Sequence, residues 1–464
     1  MSLPMIISML IQALYNLVDS LFIANMTSDA LINSNALTAV GLCFPVQSLV
    51  VAFATGTGVG MNALLSKSLG EKKQEQANRA AGNGILLIGL SYFIFLIFGL
   101  FFIRWFFEIQ TANEQIIGFG VDYLSICILL CFGQMLAISF ERVLVATGRT
   151  VESMISQASG AVTNIIFDPL LIFGIGPFPV MGVKGAAIAT VMGQMVSMVV
   201  GFTLNKLRNK EISLKPKYFV LEGKTVAQIY KVAAPSILMQ SIGSFLTLFF
   251  NKILLSFRLL DNGSVVYGGT KGVEYSAGAT AFTIYYKVQS VVFMPLFGLN
   301  NGMVPIVAYN YGAKKGSRIR KTVKSSVTAA CAYMFLWVAI SEIFPNVILN
   351  VFNATDEVAK VGAVALRVLS IHYLLAGASI ILSSVQQALG SAVYSLIISL
   401  CRQLIVLLPA AIILANITGS VNAVWWSFVI AEGVSLTLCI IFYKITKKKK
   451  IAPCEAWERE NNRV

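Results

Sequence analysis

Residues 36–73 read ALTAVGLCFPVQSLVVAFATGTGVGMNALLSKSLGEKK, and residues 278–315 read GATAFTIYYKVQSVVFMPLFGLNNGMVPIVAYNYGAKK. At a fixed offset of 242 the two runs agree at 12 of 38 positions, where composition alone would give about two. The matches include Thr38/Thr280, Val46-Gln47-Ser48/Val288-Gln289-Ser290, Gly56/Gly298, Gly60-Met61/Gly302-Met303 and Lys72-Lys73/Lys314-Lys315. The same offset pairs Ala146 with Ala388, Gly148 with Gly390 and Ser153 with Ser395. One half of the chain is therefore a copy of the other. Each copy of the motif is a long apolar run that stops at glycine and two lysines, the form of a helix leaving lipid for water.

Working outward, a bilayer core needs about 20 apolar residues in helical form. Stretches of that length fall near 3–25, 37–66, 82–106, 118–145, 151–175 and 180–204. After a lysine-rich interval they resume near 229–257, 277–310, 323–347, 362–388, 393–417 and 422–446. The expected fold is all-α: twelve transmembrane helices in two pseudo-symmetric six-helix bundles. With six helices per copy, both copies enter the membrane from the same side. That makes parallel repeats, an architecture of transporters. The expected division is an N-lobe over 1–204, a cytoplasmic linker over 205–228, a C-lobe over 229–446 and a cytoplasmic tail over 447–464.

Composition agrees. Apolar residues make up 57% of the 464 and charged ones only 12%, against roughly a quarter in soluble chains. The net charge of +14 would suggest nucleic acid in a soluble protein. Here the basic residues cluster between apolar stretches, so topology accounts for them and no nucleic-acid partner is expected. Twenty-seven of the 35 basic residues, from Lys67 through Arg142, Lys206, Lys314 and Arg402 to Lys447 and Arg463, are assigned to one side. The positive-inside rule makes that side cytoplasmic, with both termini on it, in a plasma (inner) membrane. The Leu3-Pro4-Met5 start lacks the basic region of a cleavable signal peptide, so the first apolar stretch is expected to remain as helix 1. Seven cysteines show no framework spacing and are read as reduced. One histidine, no P-loop and no paired catalytic groups leave no constellation for an enzyme.

An ionisable residue inside a transmembrane helix costs about 2.5–3.5 kcal/mol on insertion scales, so each needs a reason. Asp19, in Tyr15-Asn16-Leu17-Val18-Asp19, lies 16 residues past Leu3, roughly 24 Å up its helix. Asp168, in Asn164-Ile165-Ile166-Phe167-Asp168-Pro169, lies 17 residues past Val151, roughly 25 Å up. Asn16 and Asn164 sit near them on the same helix faces, and Tyr15 adjoins Asn16. Two carboxylates and two amides thus reach one depth in the N-terminal bundle. Hard oxygen ligands of this kind suit Na⁺, and a shielded carboxyl suits H⁺. Lys287 and Gln289, inside helix 8, are expected at a cavity; His372 reads as a packed polar residue, and Glu432 as a helix-pairing one. Gly56, Gly58, Gly60, Gly298 and Gly302 read as close-packing positions.

Taken together, Asn16-Leu17-Val18-Asp19, Ala39-Val40-Gly41, Leu69-Gly70-Glu71-Lys72-Lys73, Asn164 to Pro169, Gly182 to Thr190 and Ala308-Tyr309-Asn310-Tyr311-Gly312 resemble the multidrug and toxic compound extrusion (MATE) family over nearly the whole chain. The resemblance implies cation-coupled export of small lipophilic, often cationic compounds by a monomer bathed in membrane lipid. It implies no cofactor beyond Na⁺ or H⁺ as coupling ion. Carried over residue by residue, it implies a cation site of Asp19, Asn164, Asp168 and Thr190, with Ala186 giving a backbone carbonyl. Members with acidic residues in helices 7 and 10 differ from this chain, whose helix 7 offers Asn251 and Lys252 and whose helix 10 offers His372. The alternative is a lipid-linked precursor flippase of the same superfamily. That would need a strongly basic cavity for a pyrophosphate, and helices 1–6 hold few basic residues.

Overall fold

The computed structural model describes residues 1–259, 265–268, 273–274, 277–352 and 355–461, the side chains at 16, 17, 24, 30, 244, 245, 247, 248, 259, 273 and 274 apart. Twelve long helical segments run through them. The first six are α1 (Ser2–Ala24), α2 (Ala30–Gly70), α3 (Gln74–Phe101), α4 (Glu114–Leu129 and Phe132–Ala146, bent by 46°), α5 (Thr150–Ile172) and α6 (Val183–Arg208). The second six are α7 (Gly223–Leu255), α8 (Ala277–Gly312), α9 (Gly316–Ile343), α10 (Asp356–Ala388), α11 (Ala392–Thr418) and α12 (Trp426–Thr446). Among the described residues nine helices are long and apolar enough to cross a membrane, ten if the bent α4 is one span. Asn164 and Asp168 dilute the apolar character of α5.

The chain forms two compact units, 1–237 and 238–464, and α7 runs across the division. Duplication is visible in the turns. Lys72 and its repeat-mate Lys314 both adopt left-handed backbone, φ 59° and 53°. Each closes a helix C-terminus, with Lys73 N–H donating to the Ser68 carbonyl and Lys315 N–H to that of Asn310, both at 2.9 Å. Gly148 and Gly390, φ 84° and 69°, do the same for α4 and α10, where glycine removes the steric cost of left-handed geometry.

Between lipid-solvated helices little hydrophobic force acts, so close backbone approach must supply the packing. Gly56 and Gly60 of α2 lie directly against the Ile237 and Ile229 backbone of α7. Any β-carbon there would collide, as the close-packing reading of the glycines expects. The segment 209–222 is folded onto α3. Asn78 accepts from Ser213 N–H at 2.9 Å, Asn83 brackets Val220 and Glu222, and Arg79 pairs with Glu222 at 3.0 Å. Thr225, the Arg79 guanidinium and Lys224 hold the Glu222 carboxyl below its usual range.

Two features depart from expectation. Arg402, grouped above with the cytoplasmic residues, lies ten residues into α11, roughly 15 Å from its start. It stands in a π-helical turn, Cys401–Leu407, and pairs with Glu432 of α12 at 3.4 Å. A neutralising partner is what allows an apolar run to carry an arginine at that depth. Between α7 and α8 the chain forms a small antiparallel sheet, β2-β1-β3, from β1 (Phe257–Leu259), β2 (Val265–Tyr267) and β3 (Val273–Glu274). The sequence between β1 and β2 contains Asp261-Asn262-Gly263, residues that favour tight turns.

Beyond α12 the chain continues as a helical extension, and Ala452–Asn461 returns to the start of α9. Glu458 accepts from the Ser317 N–H at 2.8 Å and its hydroxyl at 2.7 Å, capping that helix. Arg320 pairs with Glu455 at 3.5 Å, and Lys314 lies 5.0 Å from the Trp457 ring centre. The bonds from Ser317 hold the Glu458 carboxyl below its usual range. A depressed carboxyl contributes stability above its unfolded-state pKa and loses it as pH falls through the folded value. Capping of this kind is worth on the order of 1 kcal/mol, so Glu458→Gln should raise proteolytic release of the tail about fivefold at neutral pH. Wild type should reach the same release only in acid; equal cleavage of the two proteins at pH 7 would remove the latch.

Candidate functional site

Helices α1, α5 and α6 converge in the first unit, and the two aspartates converge with them. Asp168 is fully buried on α5, and Asp19 approaches from α1 with its Oδ1 buried. Their carboxyl groups lie within hydrogen-bonding reach of each other. Asn164, one turn before Asp168, donates Nδ2–H to its Oδ1 at 3.2 Å and reaches the Thr190 hydroxyl of α6 at 3.4 Å. Pro169 follows directly and has no N–H, so the carbonyl of Ile165 one turn back is released from the helix ladder. Thus the four side chains Asp19, Asn164, Asp168 and Thr190 are brought together.

Three oxygens at this point, Asp19 Oδ1, Asp168 Oδ2 and Asn164 Oδ1, are buried without a hydrogen-bond partner. All three are acceptors. A buried orphan acceptor costs about 1–3 kcal/mol, and two facing carboxylates repel. A cation or proton between them answers both costs at once, so the donor set fits a hard monovalent ion. Among the described residues no group of three His, Cys, Asp or Glu could hold a metal, which leaves this oxygen set apart from transition-metal sites.

The other expected residues divide. Ala186 is fully buried on α6, one turn before Thr190. Tyr15 lies at the site, within electrostatic range of Asp19 and Asp168. The side chain of Asn16 falls outside the described residues. Lys287 and Gln289 belong to the second unit, where Lys287 is exposed on α8 and Gln289 half-buried. His372 is buried as expected, packed on Tyr285, Tyr373, Phe293 and Phe428.

Sequence reasoning missed a wall of the site. Tyr123 and Cys127 of α4 lie within electrostatic range of Asp19 and hydrogen-bonding reach of Gln47 on α2. Gln47 stands in the duplicated Val46-Gln47-Ser48, so the repeat marks it together with its mate Gln289. Below the site, Glu141 of α4 accepts from Gln157 of α5 at 2.9 Å and Ser197 of α6 at 3.3 Å. That gives the bundle a further, half-buried carboxylate, held by neutral donors with the Arg142 guanidinium in electrostatic range.

Comparison with known proteins follows the same outline. The sequence signature described as MatE matches residues 4–170 and 274–413. A FAD transporter of Shewanella oneidensis is 26% identical over 419 residues, covering 90% of this chain and 88% of that protein. The multidrug export protein MepA of Staphylococcus haemolyticus is 25% identical over 451 residues, covering 96% and 93%. Among solved structures, a MOP-superfamily transporter from Pyrococcus furiosus superposes with a TM-score of 0.86 at 22% identity, covering 98% of this chain and 95% of that one. An outward-facing multidrug resistance MATE transporter gives 0.85 at 22%, with the same coverage.

Proposed function

The chain belongs to the MatE family, and from that premise we propose that it exports small lipophilic, often cationic compounds across the plasma membrane in exchange for Na⁺ or H⁺. The observation that carries the coupling is the facing pair Asp19 and Asp168 with its orphaned oxygens. In this reading Asp19, Asn164, Asp168 and Thr190, with the Ala186 carbonyl, take the ion, and Tyr15 and Gln47 line its approach. Filling the pair draws α1 toward α5, and the changed bundle releases substrate outward. The chain alternates access as a monomer with both termini cytoplasmic. Linkage requires that substrate and ion alter each other's affinity by the same factor.

The multidrug exporters among the relatives support the substrate class, and the FAD transporter makes flavin dinucleotide the second substrate to try. The test is efflux from proteoliposomes loaded with a fluorescent organic cation or with FAD, under a Na⁺ gradient and a pH gradient imposed separately. Efflux of the organic cation driven by one gradient and absent without either is expected. Gradient-independent efflux would overturn the coupling, and FAD-only efflux the substrate class.

A further inference from the structure

The second unit carries an ionisable cluster that the duplication did not predict. On α10, His372, Ser379 and Gln386 recur every seven residues; on α12, Glu432, Cys439 and Thr446 do so, with Trp425 one step earlier. All seven are buried, and α10 and α12 pack along their lengths. The steps meet in pairs. Thr446 donates to Gln386 Oε1 at 2.6 Å, and the Cys439 thiol lies 3.5 Å from the Ser379 carbonyl. His372 lies within electrostatic range of Glu432, with the Phe428 ring centre 5.8 Å from its own. A polar seam therefore runs the height of an otherwise apolar bundle.

Four polar atoms on this seam are buried with no hydrogen-bond partner: Trp425 Nε1, Glu432 Oε1, Ser435 Oγ and Gln386 Nε2. Orphans cost about 1–3 kcal/mol each, and in folded proteins such groups are usually met by water. A pure helix-pairing role would leave Glu432 satisfied by its ion pair. Instead Oε2 alone meets Arg402, at 3.4 Å, and Oε1 is buried without a hydrogen-bond partner. Arg402 stands in the π-helical turn of α11, a local widening often found at functional sites.

We propose that Glu432 is a protonation site of the second unit, reached through a hydrated seam between α10 and α12, and that Arg402 leaves its carboxylate when the proton arrives. The groups within electrostatic range of Glu432 argue for H⁺ over a metal cation. They are Arg402 from α11, His372 from α10, Tyr285 from α8 and Cys439 from α12 itself. The Arg402 guanidinium on the carboxylate would repel Na⁺, and among the described residues no second carboxylate stands with Glu432 on the seam to offset it. A proton needs only hydroxyls, an imidazole and water to travel; the seam offers the first two, and its unmet polar atoms would hold the third. The step balances as a hydronium on the seam giving one proton to Glu432 Oε1 and becoming water, with the freed guanidinium keeping its charge.

The test is infrared spectroscopy of the detergent-solubilised full chain, following the C=O stretch of protonated buried carboxyls across pH in H₂O and D₂O. It needs no substrate, so its outcome is separate from whether Asp19 and Asp168 couple transport. A titrating band is expected to survive in Asp19→Asn/Asp168→Asn, to shift on deuteration and to vanish when Glu432→Gln is added. Should Glu432→Gln fail to fold, Asp19→Asn/Asp168→Asn/Glu141→Gln removes the other bundle carboxyls and leaves Glu432 in place. A titrating, deuterium-sensitive band there supports the site. No band, or one that ignores D₂O, overturns it and leaves a static ion pair.

Discussion

Asp19→Asn and Asp168→Asn should each reduce cation-driven efflux about 100-fold, to the level of leak, while the protein remains folded. The size follows from linkage: coupling free energies run about 1–3 kcal/mol, or 5–150-fold, and removing one of two ligand carboxylates removes most of the ion's differential affinity. Preserved folding follows from the geometry. The two carboxyl groups face each other with oxygens unmet, and Asn164 already donates to Asp168 at 3.2 Å. An amide at either position is nearly isosteric, removes one of two repelling charges and places an N–H opposite the other carboxylate. In cation-free buffer each variant should therefore melt at or above the wild-type temperature. The wild type should gain stability from the coupling ion, by about 2.7 kcal/mol at 100 times its Kd, and the variants should not. Thermal melts against Na⁺ and against pH separate the two ions. Parental drug resistance in both variants would sink the mechanism.

The two aspartates were legible because a carboxylate inside an apolar run stands out against its neighbours. Their convergence was not read from periodicity. It rested on equal depth along two helices that rise from the same side, and on a family resemblance for Thr190. Glu432 was equally visible but lacked a partner at the same depth in the same reading, because Arg402 had been assigned to water. A single guanidinium is compatible with either place; only the neighbouring helix decides. Gln47 shows the opposite failure. The repeat marked it, yet amides carry no charge to force a question. The small β-sheet after α7 was hidden because its strands are three residues or fewer, below the length at which alternation registers. What the linear pattern cannot encode is which helix faces which. Small residues set that.

Gly193→Ala should damage the ion site without touching a ligand. A β-carbon on Gly193 of α6 would lie 2.6 Å from the Gly160 carbonyl of α5 and 3.2 Å from the Asn164 Cβ. A β-carbon on Gly160 would meet the Gly193 carbonyl at 2.6 Å in turn. The two helices thus cross backbone on backbone, and no flexible side chain is available to yield. Asn164 stands one turn above Gly160, and Thr190 one turn from Gly193, so this crossing fixes the distance between them. That distance is 3.4 Å, already at the long end for a hydrogen bond. Separating the helices breaks it before anything else. Overpacking of this kind costs about 1–3 kcal/mol, and the lost ligand geometry should weaken ion binding about tenfold or more. Gly41→Ala is the control, since nothing lies within 4 Å of its β-carbon position, and alanine there should cost nothing and gain slightly from lower backbone entropy. Ion-dependent melts of the two variants decide it. If Gly193→Ala keeps the wild-type ion response, the α5–α6 crossing does not position the site. If it loses that response while Asp19 and Asp168 remain, the ligands work only at the spacing that two glycines permit.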